Sequence, residues 1–79
     1  MKQNVRTSVR TAGTVMALDH ENETAMVASK KRGDILIPLE EFRRANYGGV
    51  KEGGNVHFSF DRENPAKILA IHNYHPPKN

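Results

Sequence analysis

Apolar and polar residues alternate with a period of two over much of the chain, and short polar or glycine-containing stretches interrupt the alternation. The cleanest example is Asn55 to Phe60, where Val56, Phe58 and Phe60 share one side and Asn55, His57 and Ser59 the other. This is the pattern of a half-buried strand. Gly33-Asp34-Ile35-Leu36-Ile37-Pro38-Leu39 is the most continuously apolar run. Its length and β-branched content predict a strand over Ile35–Leu39, and Pro38, lacking a donor, belongs at a sheet edge or strand end.

The same reading predicts a long first strand over Val5–Leu18. Val5, Thr7, Val9, Thr11, Gly13, Val15 and Ala17 share one parity, and Gly13 suggests a bulge or a sharp coil. Asp19 to Glu23 is wholly polar and forms a loop. Further strands are expected over Thr24–Ser29, Asn55–Phe60 and Lys67–His72. Between the third and fourth strands, Glu40–Asn46 reads as a short helix. Its acids lie at the front and Arg43 and Arg44 at the back, as the helix dipole prefers, and Gly48-Gly49 stops it. Phe42 is the expected plug of the core's end.

Five strands with a short helix between strands 3 and 4 imply an all-β fold, a five-stranded OB-fold-like barrel. An SH3-like barrel is the nearest rival. One domain is expected over residues 1–79, with the barrel at about 5–73 and an extended tail at 74–79.

Composition narrows the function classes. There is no cysteine, which excludes a disulfide framework and a thiolate metal site and suits a reducing cytoplasm. No apolar run reaches the length of a membrane span, and the first residues lack the apolar core of a secretory signal. A soluble, cytoplasmic protein with no membrane partner is expected. The net charge is +3, compatible with a nucleic-acid partner. Arg6, Arg10, Lys30, Lys31, Arg32 and Lys51 are the candidate phosphate contacts. Asp19, Glu21 and Glu23 form an opposing acidic cluster.

No catalytic arrangement is present: there is no cysteine nucleophile, no phosphate-cradling glycine loop and no pair of carboxylates in an apolar setting. No cofactor is expected. His20, His57, His72 and His75 lack a metal-site spacing, so no metal is expected either. His57 falls on the wet side of strand four, near its fifth-strand partner.

From Gly13 to about Ile71 the chain resembles the cold-shock domain. Gly13-Thr14-Val15 looks like that family's opening motif, and Gly33 to Ile37 like its third strand. Val50 to Phe58 is similar to its L-x-E-G-x-x-V-x-F segment, and Asn64-Pro65-Ala66 to its closing turn. The resemblance implies an OB barrel that binds single-stranded RNA or DNA. The family stacks bases on aromatics of strands one to three, and those positions differ here. Its first-strand tryptophan falls on Ala17, its second-strand aromatics on Thr24 and Met26, and its third-strand aromatic and histidine on Leu36 and Pro38.

Each stacked base contributes about 1–3 kcal/mol, so the expected function is weak, largely electrostatic single-strand binding. The altered positions motivate an alternative: a protein-interaction or homo-oligomerising module without nucleic-acid binding. Its candidate interface is Ala17, Met26, Leu36 and Pro38, flanked by Thr24 and Ala28.

Overall fold

The computed structural model describes residues 8–77. Its elements are β1 (Ser8–Asp19), β2 (Thr24–Ser29), β3 (Gly33–Pro38), α1 (Leu39–Arg44), β4 (Asn55–Asp61) and β5 (Ile68–His75). The order and type of elements match the sequence pattern, and β2 has the expected bounds. Residues 5–7 of the expected first strand lie outside the described residues.

The strands form one antiparallel sheet in the order β3-β2-β1-β4-β5. β3 and β5 are its outer strands and do not pair with each other among the described residues. The observed architecture is therefore mostly β, a five-stranded sheet with one short helix; the expected closure into a barrel is not observed. Pro38 ends the edge strand β3, where its missing N–H interrupts no ladder. Among the described residues no helix is long and apolar enough to cross a membrane.

The core is the inward face of this sheet. Val15, Val27, Ile37, Val56 and Phe58 are fully buried, each stabilising the fold by about 1.5–3 kcal/mol of apolar burial. α1 touches both β3 and β5, so it bridges the two unpaired edges. Its Phe42 is buried and meets the Tyr74 ring edge-on, with centroids 5.8 Å apart. The helix begins at Leu39, the expected end of the third strand, and stops at Arg44, two residues before the expected Asn46. Asn46 takes the left-handed conformation at φ 70°. Its N–H donates to the Arg43 carbonyl and the Tyr47 N–H to the Phe42 carbonyl, a Schellman closure with asparagine in the glycine position.

Two local irregularities aim the side chains of β1. Gly13 keeps regular register with Ser29 on one side and Val56 on the other, so the expected bulge is not there. Instead β2 passes so closely that a Cβ at Gly13 would sit 2.6 Å from Val27 Cγ1 and 2.7 Å from the Ala28 carbonyl oxygen. Glycine here permits the close approach that lets β1 pair on both edges. The bulge lies further on: register shifts between Val15 and Ala17. Simple alternation places Ala17 inward with Val15; the extra residue, Met16, turns Ala17 out and Leu18 toward the core.

β5 carries two more shifts, opposite His57/Phe58 and Ser59/Phe60. They leave His72 and Leu69 without a Cα partner, and the buried residues Ile68, Ile71 and Tyr74 recur every third position. β5 also continues to His75, past the expected barrel end, because Tyr74 buries its ring. The Tyr74 hydroxyl accepts the Lys51 N–H at 2.9 Å.

Candidate nucleic-acid interface

β1 belongs to two pairings, and each presents a different outer face. Its C-terminal half lies beside β2 and β3. Here Ala17, Met26 and Leu36 form one row across three strands, with Asp19, Thr24 and Pro38 as the next. Met26 and Leu36 are 37% and 54% exposed, and Met16 beside them 57%. Ala17, Leu18, Thr24, Met26 and Leu36 line a mostly apolar hollow of about 420 Å³.

The loop at the edge of this face is acidic and ordered by its own hydrogen bonds. Asp19 Oδ1 accepts the N–H groups of Glu21 and Asn22, and Oδ2 accepts the Asn22 side-chain amide at 2.7 Å. These bonds, the Asn22 side chain foremost, hold the Asp19 carboxyl below the usual carboxylate range. Glu23 pairs with Arg43 at 3.2 Å. All four candidate interface residues, Ala17, Met26, Leu36 and Pro38, are exposed together on this face.

The N-terminal half of β1 lies beside β4 and β5, and its outer face is basic. One row pairs Arg10 with Ser59 and Ala70; the next holds Ala12, His57 and Asn73; the third holds Thr14, Asn55 and His75. Lys30 joins the face because its N–H donates to the Ala12 carbonyl at 2.9 Å, extending the β2 pairing past Gly13. Lys30, Asn55, His57 and His75 wall a hollow of about 520 Å³ over a floor that includes Thr14 and Ala28. Among the described residues no carboxylate lines it. The His57 and His75 rings meet edge to face, with centroids 6.3 Å apart. His72 adjoins the same face through Ser59, whose hydroxyl lies within hydrogen-bonding distance of Nε2. Burial first, then the charges of Arg10 and His57, holds the His72 imidazole below its ordinary range.

The basic candidates are thus only partly brought together. Arg10 and Lys30 flank the same face. Lys31 and Arg32 are exposed in the β2–β3 turn, where the Arg32 N–H donates to Ser29 Oγ at 2.9 Å. Arg32 also borders a cleft of about 380 Å³ between β3 and Pro65-Ala66 of the β4–β5 turn. Lys51 sits in the α1–β4 connection, tied by its backbone to Tyr74, and lines neither hollow. Arg6 lies outside the described residues. Ala28, grouped by sequence with the apolar face, borders the basic hollow instead.

Family models, curated proteins and solved structures contain no significant match to this chain, so the site stands on its own geometry. Sequence reasoning missed the grouping of His57, His72 and His75. The outward parity of His57 was visible, but the alignment of His75 with it depends on the skipped residue at His72. Among the described residues no three His, Asp or Glu side chains converge to hold a metal ion.

Proposed function

We propose that this chain is a small OB-type, cold-shock-like module that binds single-stranded RNA or DNA weakly and mainly through charge. The observation that carries the reading is the placement of Arg10 and Lys30 on one outer face, beside a hollow that Lys30 walls and that no carboxylate lines among the described residues. The strand order, with the helix after β3, suits an OB barrel opened between β3 and β5, and the cleft between β3 and the β4–β5 turn marks the gap. The absence of aromatics at the family's stacking positions leaves phosphate contact as the main source of affinity.

Fluorescence anisotropy of a labelled single strand across a salt series tests this. Binding in the range of roughly 1–100 µM is expected at low salt, and two phosphate contacts give a slope of log K against log salt of about −1.4. Absence of binding at about 100 µM protein, or binding indifferent to salt, removes the reading.

The exposed row of Ala17, Met26 and Leu36 favours a second reading, a protein contact or self-association through that face. Light scattering of the wild type against Leu36→Lys and Met26→Lys tests self-association. A dimer that these changes dissociate supports it; a monomer at all concentrations counts against it.

A further inference from the structure

We infer that the bound strand crosses the outer face of β1, β4 and β5, with phosphates on Arg10 and Lys30 and a base against the paired rings of His57 and His75. The inference rests on the nucleic-acid reading above and moves the contact away from the β1–β2–β3 face that the cold-shock resemblance designates.

The hollow is the right kind of space. Its floor includes the small side chains of Ala12, Thr14 and Ala28, and its volume of about 520 Å³ lies within the range of small-molecule sites, roughly 300–1,000 Å³. The perpendicular arrangement of the two rings, 86° between planes, keeps them from stacking on each other. A planar base can therefore lie against one ring and meet the edge of the other. Both histidines are exposed.

The cations flank this platform. Arg10 lies one row from His57 on the outer side of β1, about 7 Å along the strand, a distance of the order of one extended nucleotide. Lys30 stands across β1 from the histidines, beside Ala12. The charged and titratable groups facing the platform are Arg10 from β1, Lys30 after β2, His57 from β4, and His72 and His75 from β5. Two carboxylates share this outer parity: Asp34 on β3, exposed at the far end of the row that runs through Ala28, Thr14, Asn55 and His75, and Asp61 at the far end of β4 opposite Ser8, whose Oδ1 is occupied by the Glu63 N–H. The other face offers an apolar row and an acidic loop, which repels phosphate.

The experiment is an amide-shift titration of the full chain with short oligothymidylate and oligouridylate at low salt, paired with affinity measurements on two double variants. Shifts are expected at Ala12, His57, Asn73 and His75 and not at Met26 or Leu36. Replacing both His57 and His75 by alanine weakens binding about five- to tenfold, and replacing both by phenylalanine restores it, because a stacked base needs a ring and not a charge. Shifts centred on Ala17, Met26 and Leu36 overturn the inference while leaving nucleic-acid binding intact. No shifts with either oligonucleotide overturn both. Wild-type affinity in the alanine pair, or a fivefold loss in the phenylalanine pair, overturns the ring contact. Should the alanine pair lose its folded spectrum, the phenylalanine pair decides alone.

Discussion

The two outer faces of β1 share a strand but not a chemistry. Beside β2 and β3 the strand presents Met16 and Ala17 to an apolar row edged by Asp19 and its loop. Beside β4 and β5 it presents Arg10, Ala12 and Thr14 to imidazoles and Lys30. The division falls between Gly13, which lets β2 and β4 flank the same residue, and the bulge at Met16, which turns Ala17 outward. Fold and function separate along this line. The face beside β2 and β3, with its apolar row and acidic loop, is the less suited to phosphate, and the face beside β4 and β5, with Arg10 and Lys30, is the better suited.

The most forceful way to break the contrast is to remove the residue that permits it. Gly13→Val places a branched side chain where even a Cβ meets Val27 and the Ala28 carbonyl. Backbone cannot yield as a side-chain tip does, so the cost is expected at about 3 kcal/mol. A domain of this size commands only about 3–5 kcal/mol, so urea denaturation should find the variant largely unfolded. Leu36→Lys, exposed on the apolar face, should change stability by less than about 0.5 kcal/mol. Equal midpoints for Gly13→Val and the wild type would show that β1 and β2 do not pass as closely as described.

The next test sets the faces against each other by charge. Arg10→Gln with Lys30→Gln removes both cations flanking the histidine platform. The slope of log K against log salt should flatten by about 1.4, two phosphates at about 0.7 each for a single strand. Leu36→Lys adds a cation on the other face and should leave the slope unchanged. An unchanged slope in the first variant and a steeper slope in the second would exchange the roles of the two faces.

Much of the fold was legible because local pattern carries it. The alternation of Val56, Phe58 and Phe60 places all three inside, Phe42 is buried in a short helix between acidic Glu40-Glu41 and basic Arg43-Arg44, and Pro38 marks an edge. The irregularities were not legible, because a bulge residue has no distinctive composition. Met16 and His72 continue an ordinary strand sequence, and only the pairing with β2 or β4 reveals that one residue is skipped. In β5 the skips turn a two-residue period into a three-residue one, so Ile68, Ile71 and Tyr74 do not read as one face. The tail suffers for the same reason: Asn73, Pro76 and Pro77 suggest an early end, and only the burial of Tyr74 against the connection to β4 shows why the strand continues. The candidate site inherits this limit. Single cations and the outward parity of His57 can be read from the chain; the meeting of His57 with His75 depends on register.

The smallest expected effect is the sharpest probe of which face binds. The folded protein lowers the His72 pKa from 6.5, chiefly through burial and then through Arg10 and His57. The unfolded chain therefore takes up this proton more readily than the folded one. The stabilising contribution is complete above the unfolded value and is lost as pH falls through the folded value. Thermal midpoints should decline between pH 7.5 and 5.5, and His72→Gln should reduce that decline. The ring is largely exposed, so solvent screening keeps the effect below about 0.5 kcal/mol. A phosphate held by Arg10 offsets the charge that disfavours the imidazolium. An oligonucleotide on the β1–β4–β5 face should therefore shrink the decline further in the wild type and leave His72→Gln unaffected. One on the apolar face lies too far from Arg10 to do so, and a decline that oligonucleotide leaves unchanged would return the binding site to Met26 and Leu36.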